Sequence, residues 1–224
     1  MRTCFLALHP TSLYPAAFKV PAPEGELSRQ IEARQLAPIL RWHLPTGGDD
    51  PGARGLTWAS WAWVPPTAKS LADARLKAAK TQWARAEGVA ESLAFRAAWA
   101  AGQRCIVPMA ALEVDDWRSR RAVPTRITRV DNQPLGVAGL WSQWTGAEGE
   151  SLLGFCLLTV DAQQHALMQR YGAPGADKRL PVILNEGAYD AWLKAPLDKA
   201  TQFLRAYPAQ ALRANPVQKG PPPL

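Results

Sequence analysis

The first residue in this chain able to do covalent chemistry is Cys4, in the opening stretch MRTCFLALHP. It is either a nucleophile or a small apolar member of a first strand with Phe5, Leu6 and Leu8. Cys105 and Cys156 lie far from it, and no CxxC occurs. Three widely spaced cysteines argue against a disulfide framework and against a zinc site, and fit a reducing compartment. His9, His43 and His165 are scattered and read as surface or packing residues, so no metal is expected. The absence of a GxGxxG and of a P-loop argues against a nucleotide-cofactor enzyme, and no cofactor is expected.

Non-covalent chemistry is better represented. The formal net charge is +7 and there are ten tryptophans. Clustered Lys and Arg gain affinity for polyanions by releasing counterions. Basic charge with surplus Trp suits single-stranded nucleic acid, where bases stack on aromatic rings. The alternative is a solvated basic surface over a Trp-rich core. Arg118, Arg120, Arg121, Arg126 and Arg129 form a basic segment that is either a binding patch or an outward strand face.

The elements that must position these groups are legible in outline. A chain of 224 residues, 47% hydrophobic, suits one large domain with its own core. APILRWHL and LTWASWAWVP read as strands around the loop TGGDDPGARG. Residues 70 to about 101 are rich in Ala, Leu, Arg, Lys and Glu and read as two helices broken near Gly88, with Gly102 as a stop. RCIVPMAALEV follows as a buried strand, and DDWRSRRAVPTRITRV as a turn and a further strand. PLGVAGLWSQW and LLGFCLLTV form a hairpin over TGAEGES, its second strand central. RLPVILNEGAYDAWL gives a short strand and a helix, with Asn185 as candidate N-cap.

Short turns between strands, with grouped helices, predict an α+β fold: a mainly antiparallel, barrel-like β-sheet with flanking helices. One domain over 1–210 is expected, with a Pro-rich C-terminal tail over 211–224, disordered or draped on the surface. CFLAL is too short for a signal peptide or a membrane span, so a cytoplasmic protein with no membrane partner is expected.

Four stretches in order carry a more specific message: WAWVPPTAK (61–69), WARAEG with FRAAWAAGQRCIVP, VAGLWSQW, and RLPVIL followed by YDAWL. Over roughly residues 58–193 the chain resembles the SOS-response-associated peptidase (SRAP) family. That family's pattern has a WGLIP-like strand, an NARAE segment, an F-R…RC-[LI]-[IV]-P-A-D-G-F-Y-E-W strand, an AGLW strand and H-x-R-M-P-V-I-L. The resemblance implies a barrel-like domain with a positive groove for single-stranded DNA. It also implies a reaction in which a cysteine made N-terminal by removal of Met uses its α-amine and thiol to close a thiazolidine on the aldehyde of an abasic site. The Asn, Glu and His of the quoted motifs assist by positioning and proton transfer.

The chain departs from the pattern at those positions. Arg2 stands where the family has its cysteine, and its size leads to the expectation that Met1 stays and Cys4 has an amide rather than an amine. Trp83 replaces the asparagine of NARAE, while Arg85 and Glu87 remain. Aligned without a gap, Val114 falls on the glutamate and Glu113 on the tyrosine before it; a shift of one residue would turn the side chain to the other face unless a bulge compensated. Asp177 takes the place of the histidine.

The expected function is therefore binding of single-stranded or abasic-site DNA in a DNA-damage (SOS) response, without the usual crosslinking. Arg85 is the expected phosphate contact, Trp61 supports or lines the groove, and Trp83 either stacks on a base or fills space. The alternatives are an active abasic-site crosslinker or autopeptidase with a relocated site, for which Cys4, Glu113 and Asp177 are the weak candidates, and a protein-interaction module on the same fold.

Overall fold

Runs of branched and aromatic residues cut by Gly, Pro and Asp make strands the commonest element of the chain. The computed structural model describes residues 4–43, 52–78 and 81–217. In chain order these hold β1 (Cys4–Ala7), α1 (Leu13–Phe18), β2 (Gln30–Glu32), β3 (Leu36–His43) and β4 (Ala53–Ser60). Then come α2 (Leu71–Ala78), β5 (Trp83–Arg85), α3 (Arg96–Ala100), β6 (Arg104–Asp116) and β7 (Val123–Arg129). The last part contains β8 (Leu135–Thr145), β9 (Ser151–Asp161), β10 (Arg179–Pro181), β11 (Ile183–Leu184), α4 (Tyr189–Lys194), α5 (Leu197–Ala200) and β12 (Leu212–Pro216).

β8, β9, β4, β3 and β6 pair in that order, and β6 pairs back onto β8, so five strands close a barrel. Four of the junctions are antiparallel; the β4–β9 contact is parallel, at Ser60 and Gly154. Gly154 is required there, because a Cβ would collide with the Ala62 carbonyl oxygen. The long strand β6 also carries β1 and β7 beyond the ring. This is the α+β, mainly antiparallel barrel expected from the short turns and grouped helices.

In the core on either side of the barrel wall, Phe5, Ile39, Leu40, Trp61, Ile106, Val137, Leu140 and Phe155 are fully or almost fully buried. Five of the ten tryptophans (61, 63, 99, 144 and 192) are buried and the other five are half-buried. The surplus of Trp is thus first a property of the core.

Two sequence expectations are corrected and a third is met in part. The helix-like segment after residue 70 contains a strand: Trp83–Arg85 form β5, parallel to Leu157–Thr159 of β9, and pairing to the barrel overrides an Ala-rich composition. Asn185 does stand at the N-cap, extended ahead of the turn Glu186–Ala188 that leads into α4, but its side chain makes no cap hydrogen bond. The tail expected from residue 211 is ordered in its first part, because β12 pairs along β7 from Leu212↔Arg129 to Pro216↔Thr125. Residues 44–51, most of the predicted TGGDDPGARG loop, lie outside the described residues, as do Met1, Arg2 and Thr3. Among the described residues, no helix is long and apolar enough to cross a membrane.

Candidate nucleic-acid interface

The end of β9 carries both β5 and β10, and this places four charged side chains side by side. Along β5, Trp83 is half-buried, Ala84 is buried and Arg85 is exposed. Arg179 is anchored: its Nη2 donates to the Thr159 carbonyl (2.6 Å) and to Glu87 Oε2 (2.6 Å), and its Nε to Thr159 Oγ1 (3.3 Å). The other Glu87 oxygen accepts the Asp161 backbone N–H at 2.7 Å. Glu87 therefore clamps β5, β9 and β10 together. Arg85, by contrast, is 70% exposed in its side chain, and its Nη2 lies 2.6 Å from Asp177 Oδ2. The structure brings these two sequence candidates into one ion pair.

Beside the pair is a cleft of about 150 Å³, edged by Val114, Trp117, Tyr171, Asp177, Lys178 and Arg179. Val114 and Asp177, which fall on the family's glutamate and histidine, thus edge the same cleft. Its loop, residues 172–178, is tied to β6 by an Asp116–Tyr171 bridge and by the Gly172 N–H donating to the Asp115 carbonyl at 2.8 Å. Gly172 at φ +84 allows the turn that starts the loop. At the rim, Arg118 lies over the Tyr171 ring at 5.8 Å and grips Asp116 at 2.5 Å. Arg120 and Arg121 stand exposed on the same β6–β7 turn.

Cys4 and Glu113 meet elsewhere. The Cys4 thiol lies 3.5 Å from Glu113 Oε2, and Arg126 Nε donates to Glu113 Oε1 at 3.3 Å. These three residues are neighbours across β1, β6 and β7, on the face of β6 opposite Val114. β6 does carry an irregularity at Ala110, where its pairing with β1 steps from Ala111 to Met109. Beyond it β6 pairs with β7 without interruption from Leu112 to Asp116, and Glu113 lies with Cys4 and Arg126 rather than in the cleft. Both Cys4 and Glu113 are buried.

Trp61, expected to support or line the groove, is fully buried and cannot touch a nucleic acid itself. It props Trp83, its ring meeting that of Trp83 edge-on with centroids 5.3 Å apart. Arg129 leaves the basic patch as well: it is buried and paired with Asp131 (2.5 Å) and Glu186 (3.0 Å). Sequence reasoning did not single out Trp117, Lys178 or Arg179. The signal was present for the last two: Arg179 opens the RLP of the family segment, and Lys178 precedes it in DKRLP.

The ion pairs set an acid limit on stability. The Arg118 hydrogen bond holds the Asp116 carboxyl below its ordinary value, and the Arg129 hydrogen bond does so for Asp131. For Glu87, burial pushes upward, but hydrogen bonds from Arg179 and backbone amides outweigh it and the net direction is down. A carboxyl depressed in the folded state adds stability above its unfolded pKa of about 4, which is lost as pH falls through the lower folded value. The urea midpoint should accordingly be flat from pH 7 to pH 5 and drop below about pH 4. A midpoint that held at pH 3 would count against these pairings. Among the described residues, no group of His, Cys, Asp or Glu could hold a metal ion.

A closed five-strand barrel with a charged, aromatic-edged cleft at the end of β9 places the chain in a definite class. It belongs to the SOS response associated peptidase (SRAP) family, whose family model matches residues 11–220. It is 28% identical over 149 residues to the abasic site processing protein YoaM of Bacillus subtilis, a match covering 65% of this chain and 59% of that protein's length. A Bordetella bronchiseptica protein of known structure superposes with a TM-score of 0.85 at 35% identity, over 97% of this chain and all of the other. A Bacteroides thetaiotaomicron structure, 19% identical, shares the fold with a TM-score of 0.77 over 96% of this chain and 92% of its own.

Proposed function

We propose that this protein binds single-stranded or abasic-site DNA in a cytoplasmic DNA-damage response, without closing the N-terminal thiazolidine. The observation that carries the reading is Arg85, a largely exposed guanidinium at the mouth of a cleft, next to the half-buried ring of Trp83. Family membership and the name of the Bacillus relative supply the ligand class. Arg85 contacts phosphate, Trp83 offers a stacking edge, and the exposed Arg118, Arg120 and Arg121 extend the positive rim. The three cysteines are buried thiols, in keeping with a reducing compartment. Val114 and Asp177 leave the cleft without the glutamate and histidine of the family pattern, which is why the crosslinking step is omitted.

The Arg85–Asp177 pair makes the test sharp, because Asp177 occupies the guanidinium that a phosphate would use. Fluorescence anisotropy with a labelled single-stranded oligonucleotide, across a salt series, reads it out. Arg85→Gln should weaken binding and reduce the salt slope by about one. Asp177→Asn should strengthen binding, by up to about fivefold, since an exposed ion pair contributes at most about 1 kcal/mol. Binding that is absent in the wild type, or indifferent to salt, would overturn the reading.

A second reading rests on the Cys4–Glu113 contact, which places a thiol beside a carboxylate. It predicts that Met1, Arg2 and Thr3 are removed, as intact mass would show. The Cys4 α-amine and thiol would then give a denaturant-stable adduct with abasic DNA that disappears in Cys4→Ser; the thiol alone would give only a labile one. Burial of both groups favours the first reading.

A further inference from the structure

We propose that Lys178 is a second kind of nucleophile for this cleft, an ε-amine that condenses with the aldehyde of an abasic sugar to give a reversible imine. The proposal rests on the reading that abasic DNA enters the cleft, and adds a covalent step which that reading lacks. Among the described residues lining the cleft, Lys178 carries the one primary amine. Its position is built rather than trailing in solvent: Nζ donates to the Gly172 carbonyl at 3.0 Å and to the Ala173 carbonyl at 3.1 Å. The two backbone carbonyls hold the nitrogen at one place on the loop and leave its remaining direction open to a substrate. The same loop is fixed to β6 through Tyr171 and Gly172, so the amine is held against the strand that supplies Val114 and Asp115.

Size and surroundings agree with a small electrophile. About 150 Å³ is half the lower end of the usual range for drug-sized pockets, which suits a lone sugar better than a stacked nucleotide. Val114, Met168 and Tyr171 give the cleft apolar walls, and Arg85 and Arg118 stand at its edges, where the flanking phosphates of a strand would lie.

The step balances without an added reagent. The Nζ lone pair adds to the aldehyde carbon of the ring-opened sugar, and a proton from nitrogen passes to the oxygen. The carbinolamine then loses water, taking the second nitrogen-bound hydrogen, and leaves a carbon–nitrogen double bond. No electron is gained or lost, and water reverses the step. Unlike a thiazolidine, the link needs no N-terminal cysteine.

The experiment is borohydride trapping. Full-length protein is mixed with a single-stranded oligonucleotide carrying one abasic site, sodium borohydride is added to reduce any imine, and the product is resolved on a denaturing gel and mapped by peptide mass spectrometry. The expected result is a stable adduct on Lys178, absent with the intact oligonucleotide and reduced by about tenfold or more in Lys178→Arg. Thermal melting of Lys178→Arg confirms that the variant is folded. Lys194→Arg, which lines no part of the cleft and packs on Trp42, should trap as the wild type does. Trapping that persists in Lys178→Arg, or maps to the α-amine or another lysine, overturns the assignment. So does a wild-type protein that binds the abasic oligonucleotide in a native gel yet gives no trapped species. Failure to bind either oligonucleotide in the native gel instead removes the reading beneath it, and the assignment with it.

Discussion

Replacing Trp61 by alanine should lower the free energy of unfolding by about 3–5 kcal/mol, the cost of emptying a large aromatic site in a packed core. The side chain is fully buried and stands directly after the strand that makes the parallel barrel junction. Its ring meets Phe5 edge-on at 5.0 Å and Trp83 at 5.3 Å, and its Nε1 donates to the Gln82 carbonyl at 3.2 Å. Alanine would leave a cavity between β1, β4 and β5 and remove the indole N–H from the Gln82 carbonyl, which keeps the Leu157 N–H at 2.9 Å. Trp61→Phe keeps most of the ring contact and loses the hydrogen bond, so it should cost nearer 1–2 kcal/mol. Urea denaturation measures both. Trp83→Ala should give the contrasting pattern: a smaller loss of stability, since the ring is half-buried, and a loss of single-stranded DNA affinity of roughly 1–3 kcal/mol. A Trp61→Ala protein with native stability would show that the ring is not what props the site.

Trp61 and Trp83 also show what the sequence could and could not disclose. The order of the short family-like stretches, and the Gly, Pro and Asp that punctuate them, were enough to read an antiparallel barrel and the β6, β7, β8 and β9 segments within it. Strands that exist only through distant pairing were not readable. Trp83–Arg85 sits in an Ala-rich stretch with helical propensity and becomes β5 because β9, more than seventy residues on in sequence, offers an edge. Leu212–Pro216 lacks any apolar period and becomes β12 because β7 does the same.

The site was legible as residue types and not as partners. Arg85 and Asp177 were each visible from their motifs, but the ion pair between them is a product of β5 and the 172–178 loop converging on one end of the barrel. Cys4 and Glu113 were raised together as a relocated site, and they do touch, yet on the face of β6 turned away from Val114 and the cleft. A period of two along a strand makes that outcome a question of a single residue. Arg129 looked like its basic neighbours, and only the fold shows it enclosed by Asp131 and Glu186.

The second large effect is expected at Arg104, which the RC of the strand motif marks without saying why. Its guanidinium is buried near the C-terminal end of α4, where Nε donates to the Trp192 carbonyl at 3.0 Å and Nη2 to the Ala195 carbonyl. The last carbonyls of a helix have no intrahelical donor, so a buried helix end needs such a cap. Trp99 and Trp192 lie 5.9 and 5.7 Å from the guanidinium carbon and give the cation aromatic neighbours in place of water. Burial lowers the guanidinium pKa from its ordinary value, yet arginine stays charged at any physiological pH. Arg104→Ala would strip the Ala195 carbonyl of the guanidinium at roughly 1–3 kcal/mol, leave the Trp192 carbonyl with the Ala195 N–H at 3.3 Å, and open a gap between two indoles, so a total loss of about 2–4 kcal/mol is expected. Arg104→Lys is the discriminating variant: it keeps the charge but not the fork that reaches two carbonyls at once, and should recover less than half of that loss. If lysine restored full stability in urea denaturation, charge rather than the two-carbonyl grip would be what holds α4 to β6.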